Sequence, residues 1–157
     1  MRRRTLKPVT SEGEPGASVG PDRALLVAAA AFAAAAGLGS LVAIRDELPG
    51  EPLGITVPLS VPAGLAAGWG AAVAAPWPMP AAALIAAARA QRAGASAAAG
   101  LVCAGIGLGC VAGTLVEPVT RRPRTWSLGT RLAITANLAA SAALLVAGWR
   151  HFAAARR

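Results

Sequence analysis

The chain has 157 residues, of which 55% are hydrophobic and only 14% are charged, and its formal net charge is +8. Soluble domains carry roughly 25% charged residues, and a soluble helix needs a polar face every turn or two. All fifteen Lys and Arg and all seven Asp and Glu lie outside four long apolar runs. This distribution excludes an ordinary soluble domain and predicts an all-α integral membrane protein.

The four charge-free runs predict four transmembrane helices. A helix crosses the hydrocarbon core with about 20 mostly apolar residues, and the runs contain 21, 37, 24 and 18 residues. Because much of their apolar character is alanine and the last run is short, three or five spans are the alternatives. Residues 22–157 are therefore expected to form a membrane domain. The predicted spans are about 24–44, 61–88, 94–116 and 132–149.

Residues 1–21 are predicted to form a disordered basic tail. Arg2, Arg3, Arg4 and Lys7 are followed by a mixture of Gly, Ser, Pro and Glu with little to bury. The Arg3-Arg4 string loosely resembles a twin-arginine export signal. The first apolar run is longer than a cleavable signal core of about 7–15 residues, so an uncleaved first span is expected.

The link that follows, residues 45–60, begins with acidic residues and then alternates apolar with small or polar ones. This period of two is strand-like, although Pro58 removes a backbone donor. We expect a short extended segment over the membrane surface, with a paired hairpin as the alternative. The apolar positions are Leu53, Ile55, Val57, Leu59 and Val61.

Pro76, Pro78 and Pro80 interrupt the second predicted span. Each lacks an N–H and disfavours helix at the preceding residue, so the helix is expected to stop near Ala75 and to resume after Pro80. Non-helical backbone at membrane depth requires cover by protein or water. The favoured interpretation is that residues 58–75 already span and that the segment after the prolines is interfacial or protruding.

Two groups of residues are candidates for helix packing. Gly105, Gly109 and Gly113 recur every four residues on one face of the third span, which allows close approach of a neighbouring helix. Asn137 and Ser141 lie one turn apart in the last span and are predicted to hydrogen-bond across helices. Ligand contact is the alternative for this second pair.

The distribution of basic residues sets the expected orientation. With four spans, ten Lys and Arg lie on the side that carries both termini and five on the other side. Because Lys and Arg concentrate on the cytoplasmic side, both termini are expected in the cytoplasm, and the membrane is expected to be the cell (inner or plasma) membrane. Trp149, Arg150 and His151, with the final arginines, are interpreted as an interface anchor.

The two external links are expected to contact each other. Acidic residues of one link and arginines of the other can form ion pairs, although exposed pairs stabilise by only about 0–1 kcal/mol each. Contact of the arginines with anionic headgroups or an anionic ligand is the alternative. The residues concerned are Asp46, Glu47, Glu51, Glu117, Arg121, Arg122 and Arg124.

Composition also bears on function. The four runs contain no ionisable side chain except two cysteines, and the chain has a single His, so we predict no enzyme activity, no cofactor and no metal site. Scattered basic residues argue against a nucleic-acid partner. We expect a non-catalytic multi-pass protein that acts through the lipid bilayer, a homo-oligomer or other membrane proteins. A small uncoupled transporter or channel subunit is the alternative.

Overall fold

The computed structural model describes residues 21–92, 97–123 and 126–157. The regular secondary structure of those ranges is entirely helical, without a strand. The predicted tail lies outside the described residues, apart from Pro21. The α-helices are α1 (Arg23–Arg45), α2 (Val61–Ala67), α3 (Pro78–Arg89), α4 (Ala97–Val116) and α5 (Leu128–Ala154), and short 3₁₀ turns occupy Pro52–Gly54 and Val119–Arg121.

Three of these helices are long and apolar enough to cross a membrane. They are α1, α4 and α5, with 23, 20 and 27 residues. The prediction of an all-helical protein with apolar helices of spanning length is confirmed for these three stretches. Charge-free runs identify them well because hydrocarbon excludes ionised side chains.

Capping residues fix where two of the long helices begin. The Asp22 carboxylate accepts the backbone N–H of Leu25 at 3.0 Å, and Ser127 Oγ accepts that of Thr130 at 3.0 Å. Each satisfies a backbone donor that has no partner within the helix. Because the cap of α5 precedes its apolar run, this helix starts earlier than predicted and contains Arg131.

The second apolar stretch departs most from expectation. Helix α2 ends at Ala67 because Gly68 adopts a left-handed conformation with φ of 89°, which glycine reaches without a steric penalty. The carbonyl of Gly64 accepts the N–H of Trp69 at 2.9 Å and closes the helix end. The predicted stop near Ala75 was therefore wrong.

The prolines are also placed differently from the prediction. Helix α3 begins at Pro78, so Pro78 and Pro80 lie in its first turn, where the missing N–H would have had no helical partner anyway. Only Pro76 lies in the non-helical segment, residues 68–77, which we call the α2–α3 connection.

Helix α3 belongs to the bundle. Ala83, Ala86 and Ala87 are buried, and the helix packs against α1 and α4. Residues 58–75 therefore do not form one spanning helix, and the segment after the prolines does not protrude, so both of these expectations were wrong. An interfacial location of this segment stays a prediction. With 12 residues, α3 is about 18 Å long, which is shorter than a hydrocarbon core of about 30 Å.

Four helices form a closed ring. Helix α4 packs along α5, α5 along α1, and α3 against both α1 and α4. Neighbours in the ring are antiparallel, since the start of α1 contacts the ends of α3 and α5, through bonds from Gln91 and His151 to Asp22. At the opposite end Asp46, after α1, contacts Ser127, before α5. We call these the Asp22 end and the Asp46 end.

A close contact between α4 and α5 uses glycines other than the three that were predicted for helix packing. A Cβ added to Gly100 would lie 2.6 Å from the carbonyl oxygen of Gly148, and one added to Gly107 would lie 2.6 Å from the backbone N of Leu145. Such distances are shorter than real Cβ contacts, so α4 and α5 can approach this closely only without side chains here.

The predicted glycines lie on another face of α4. A Cβ on Gly105, Gly109 or Gly113 would meet nothing within 4 Å. Helix packing among the described residues therefore does not use them. Their contact with a helix outside the chain stays a prediction.

The first link contains no hairpin, so that alternative was wrong. Residues 55–60 form neither helix nor strand, and Leu53, Ile55 and Leu59 are exposed. The extended pairing that does occur is an isolated bridge between Pro49 and Ala71, which joins this link to the α2–α3 connection.

Candidate functional site

The α2–α3 connection is folded into the Asp46 end of the bundle. Residues 71–75 are each at most 6% exposed. At Gly39 of α1 the carbonyl oxygen of Val73 occupies space where a side chain would stand. Trp77 Nε1 donates a hydrogen bond to Ser40 Oγ at 3.1 Å. The non-helical backbone is thus covered by protein, as such backbone must be inside a membrane.

Hydrogen bonds also join the connection to its surroundings. The N–H of Ala72 donates to the carbonyl of Leu48 at 3.4 Å, and Trp69 Nε1 donates to the carbonyl of Gly50 at 3.0 Å. Ala71 and Ala74 exchange backbone hydrogen bonds at 3.1 Å each way. Buried polar backbone is therefore satisfied without helix or sheet.

A cavity of about 160 Å³ lies between this connection, α4 and α5. Its walls are mainly small residues, and polar groups come from α4, α5 and the residue after α4. Gly109 and Gly113, from the open face of α4, line it as well. The residues that supply these polar groups are Thr114, Asn137 and Glu117.

Asn137 gives this cavity a buried polar group. The residue is 2% exposed, and its Oδ1 has no hydrogen-bond partner among the described residues. A buried amide oxygen without a partner costs roughly 1–3 kcal/mol. Ser141 is also buried with an unpartnered Oγ, so neither atom makes the interhelical hydrogen bond that the sequence predicted.

Glu117 lies directly after α4 and is 7% exposed. Its Oε2 accepts the backbone N–H of Glu51 at 3.1 Å. Burial raises the pKa of the Glu117 carboxyl above its usual value, and the charge of Glu51 raises it further, while the hydrogen bond from the Glu51 backbone opposes the shift. Glu117 also lines a second cavity of about 220 Å³ beside Arg122.

The two links at the Asp46 end therefore contact each other, through Glu117 and Glu51. A second contact joins Ser127 Oγ to Asp46 Oδ2 at 3.3 Å. Asp46 also forms an ion pair with Arg45 at 2.7 Å. The hydrogen bond that Arg45 donates in this pair lowers the pKa of the Asp46 carboxyl.

The remaining residues of the predicted contact are placed as follows. Glu47 is exposed, with a positive φ of 49°. Arg121 and Arg122 line a surface depression beside Leu53, and Arg124 lies outside the described residues. Ion pairing of these arginines with the acidic link stays a prediction.

The Asp22 end holds a polar pair that sequence reasoning missed. His151, interpreted above as an interface anchor, is only 1% exposed, and its Nδ1 lies 3.0 Å from Asp22 Oδ2. Gln91 Nε2 donates to the backbone carbonyl of Asp22 at 2.7 Å. Since 129 positions separate Asp22 from His151, no local pattern indicates the pair. Trp149 is 57% exposed, and an interface anchor formed by Trp149 with the arginines near the C-terminus stays a prediction.

Within the described residues, no three His, Cys, Asp or Glu side chains are grouped closely enough to hold a metal ion. Comparison of the chain with known protein families, with curated proteins and with solved structures found no match.

Proposed function

We propose that this chain is a non-catalytic, multi-pass membrane protein that acts by associating with another copy of itself through α4. The observation that carries the proposal is the open glycine face of Gly105, Gly109 and Gly113, where an added Cβ meets nothing within 4 Å. Glycines at this spacing allow two helices in a bilayer to approach closely.

The glycines of α4 divide between two faces, and this supports the proposal. Gly100 and Gly107 contact α5 at distances that tolerate no side chain, so their presence is explained within one chain. No close contact with another described part of the chain explains the other three. Glycine in a helix interior costs roughly 0.5–1 kcal/mol relative to alanine, and a close contact between copies would offset that cost.

The position of the cavity is consistent with such a contact. Gly109 and Gly113 belong to the cavity lining as well as to the open glycine face. A second α4 lying on these glycines would cover the cavity mouth. Association is thereby expected to reduce access of lipid and water to Asn137 and Glu117.

We also propose that the chain crosses the membrane four times, with both termini on the cytoplasmic side. The connection and α3 together run from the Asp46 end to the Asp22 end, and the extra length of the connection compensates for the short α3. Arg23, Arg89, Arg92 and Arg150 lie toward the Asp22 end, which favours a cytoplasmic location of that end and of both termini. A plasma membrane is the proposed location.

Association can be tested with single-residue changes on exposed helix faces. In liposomes, energy transfer between differently labelled copies should report association of the wild-type protein, and Gly109→Leu should weaken it at least tenfold. Gly37→Leu is the matched control, because Gly37 in α1 also has nothing within 4 Å of an added Cβ. A wild-type protein that stays monomeric at every protein-to-lipid ratio, or equal loss in both variants, would overturn the proposal.

A second candidate function, uncoupled transport of a small polar solute, is favoured by the unpartnered Asn137 Oδ1 in the cavity. Broken helices at membrane depth commonly form such solute sites. Flux of small polar solutes from proteoliposomes should then fall with Asn137→Leu. Thr135→Val, an exposed change in the same helix, should leave it unaltered. Absence of protein-dependent flux for wild-type protein excludes this candidate.

A further inference from the structure

A long groove runs between α1 and α5, on a side of the bundle that neither α3 nor α4 covers. Its part near the Asp22 end has a volume of about 960 Å³, and the next part has about 570 Å³. Ala31 and Ala143 line both parts, so the two are continuous. The groove extends along α1 from Arg23 to Leu38.

The groove exists because both helices present alanine there. Its walls beyond the first turn are apolar, with Val27 and Val146 as the bulkiest side chains near the Asp22 end. Fifteen residue steps along α1 correspond to about 22 Å, whereas one leaflet of the hydrocarbon core is about 15 Å thick. A straight apolar chain can therefore lie in the groove over the full depth of a leaflet.

The lining of the groove changes from apolar to basic at the Asp22 end. Arg23, from the start of α1, and Arg150, from the end of α5, both line it and are both exposed. Among the described residues, neither forms an ion pair. Asp22, the acidic side chain among the described residues that line this part of the groove, is engaged by the Leu25 N–H and by His151. Two guanidinium groups are thus available beside an apolar slot.

We propose that this groove binds an anionic phospholipid, with one acyl chain between α1 and α5 and the headgroup phosphate at Arg23 and Arg150. Arginine suits this role because its planar guanidinium donates paired hydrogen bonds to phosphate oxygens. Basic residues at the ends of membrane helices attract anionic headgroups electrostatically.

A second copy of the chain fits the groove less well than a lipid. A twofold contact places the same surface patch of both copies together, which would bring Arg23 and Arg150 next to the identical pair. The four guanidinium groups would then repel one another, since the nearby Asp22 carboxylate of each copy already contacts His151. The groove also lies apart from the glycine face of α4, so the lipid site does not depend on the proposed self-association.

Native mass spectrometry of the full chain in mild detergent tests the proposal. Phosphatidylglycerol should be retained more strongly than phosphatidylcholine with identical acyl chains. The double variant Arg23→Gln/Arg150→Gln should lower phosphatidylglycerol affinity roughly tenfold or more. The matched control is Arg89→Gln/Arg92→Gln, which removes the same charge near the Asp22 end but lies outside the groove, and it should change affinity less than about twofold.

The apolar part of the site has its own test. Ala31→Phe fills the groove, whereas Ala30→Phe adds the same bulk at a neighbouring exposed position that does not line it. Only the first variant should weaken phosphatidylglycerol binding. Equal loss in the two arginine double variants, or equal binding of both lipids, would overturn the proposal, and the exposed arginine changes keep it testable even if Ala31→Phe fails to fold.

Discussion

Trp77 Nε1 donates a hydrogen bond to Ser40 Oγ at 3.1 Å, and this bond ties the last residue of the α2–α3 connection to α1. The Ser40 hydroxyl donates in turn to the carbonyl of Ala36 at 2.8 Å. Ser40, inside an apolar helix, thus connects the Trp77 indole of the non-helical segment to the backbone of α1. The connection depends on such links because its residues lie outside the helices and form only isolated backbone bridges.

Loss of the hydrogen bond between Trp77 and Ser40 should destabilise the fold. Ser40→Ala leaves the indole N–H without its partner, and we expect the free energy of unfolding to fall by about 1–2 kcal/mol. Unfolding in mixed micelles of mild detergent and dodecyl sulfate measures this. In a double-mutant cycle with Trp77→Phe, additive effects of the two changes would contradict a direct bond. Trp149→Phe, at an exposed tryptophan, should be nearly neutral.

Two glycines of α1 should respond in opposite directions to the same substitution. A Cβ at Gly39 would collide with the carbonyl oxygen of Val73, so Gly39→Ala must displace the connection and should cost about 1–3 kcal/mol. Gly37 has open space around an added Cβ, so Gly37→Ala should stabilise α1 by up to about 1 kcal/mol. Thermal unfolding of both variants in one detergent checks the pair; a shared sign would contradict the contact.

The sequence predicts the long helices because the cost that excludes charged residues from them applies at each position separately. A charged group is expensive in hydrocarbon wherever it stands, so α1, α4 and α5 are visible as charge-free runs. Their ends are less visible, because a cap such as Ser127 lies outside the apolar run. Helix existence is thus recoverable from composition, whereas helix bounds require the backbone.

The break and the glycine contacts show what a single sequence leaves undetermined. Pro78 and Pro80 look like helix breakers but can also start a helix, and the chain uses Gly68 to end α2 instead. Glycine spacing alone does not tell which face meets α5, because the partner glycine, Gly148, lies far along the chain. Tertiary contacts decide both questions.

The pair formed by Asp22 and His151 allows the cap of α1 to be separated from the link to α5. Asp22→Ala removes both interactions and should lower the free energy of unfolding by about 2 kcal/mol. Asp22→Asn keeps a good N-cap and should recover about half of that loss. Equilibrium unfolding in detergent measures both variants. Equal destabilisation by the two changes would show that capping contributes little here.

Glu117 should make stability depend on pH. Burial raises the pKa of its carboxyl in the folded protein above the unfolded value, so the folded state holds the proton more tightly. Its contribution to stability is therefore full below the unfolded pKa of roughly 4.3 and is lost as pH rises through the raised folded pKa.

The variant Glu117→Gln isolates this contribution, because glutamine is neutral at every pH and still accepts the N–H of Glu51 through its amide oxygen. Relative to this variant, the wild-type protein should lose stability steadily as pH rises from about 4, measured as the difference between their unfolding free energies at each pH. If the wild-type protein instead gained stability relative to Glu117→Gln over the same range, the carboxylate would be the favoured form. Burial of Glu117 beside Glu51 would then be outweighed by a stabilising contact with a cation.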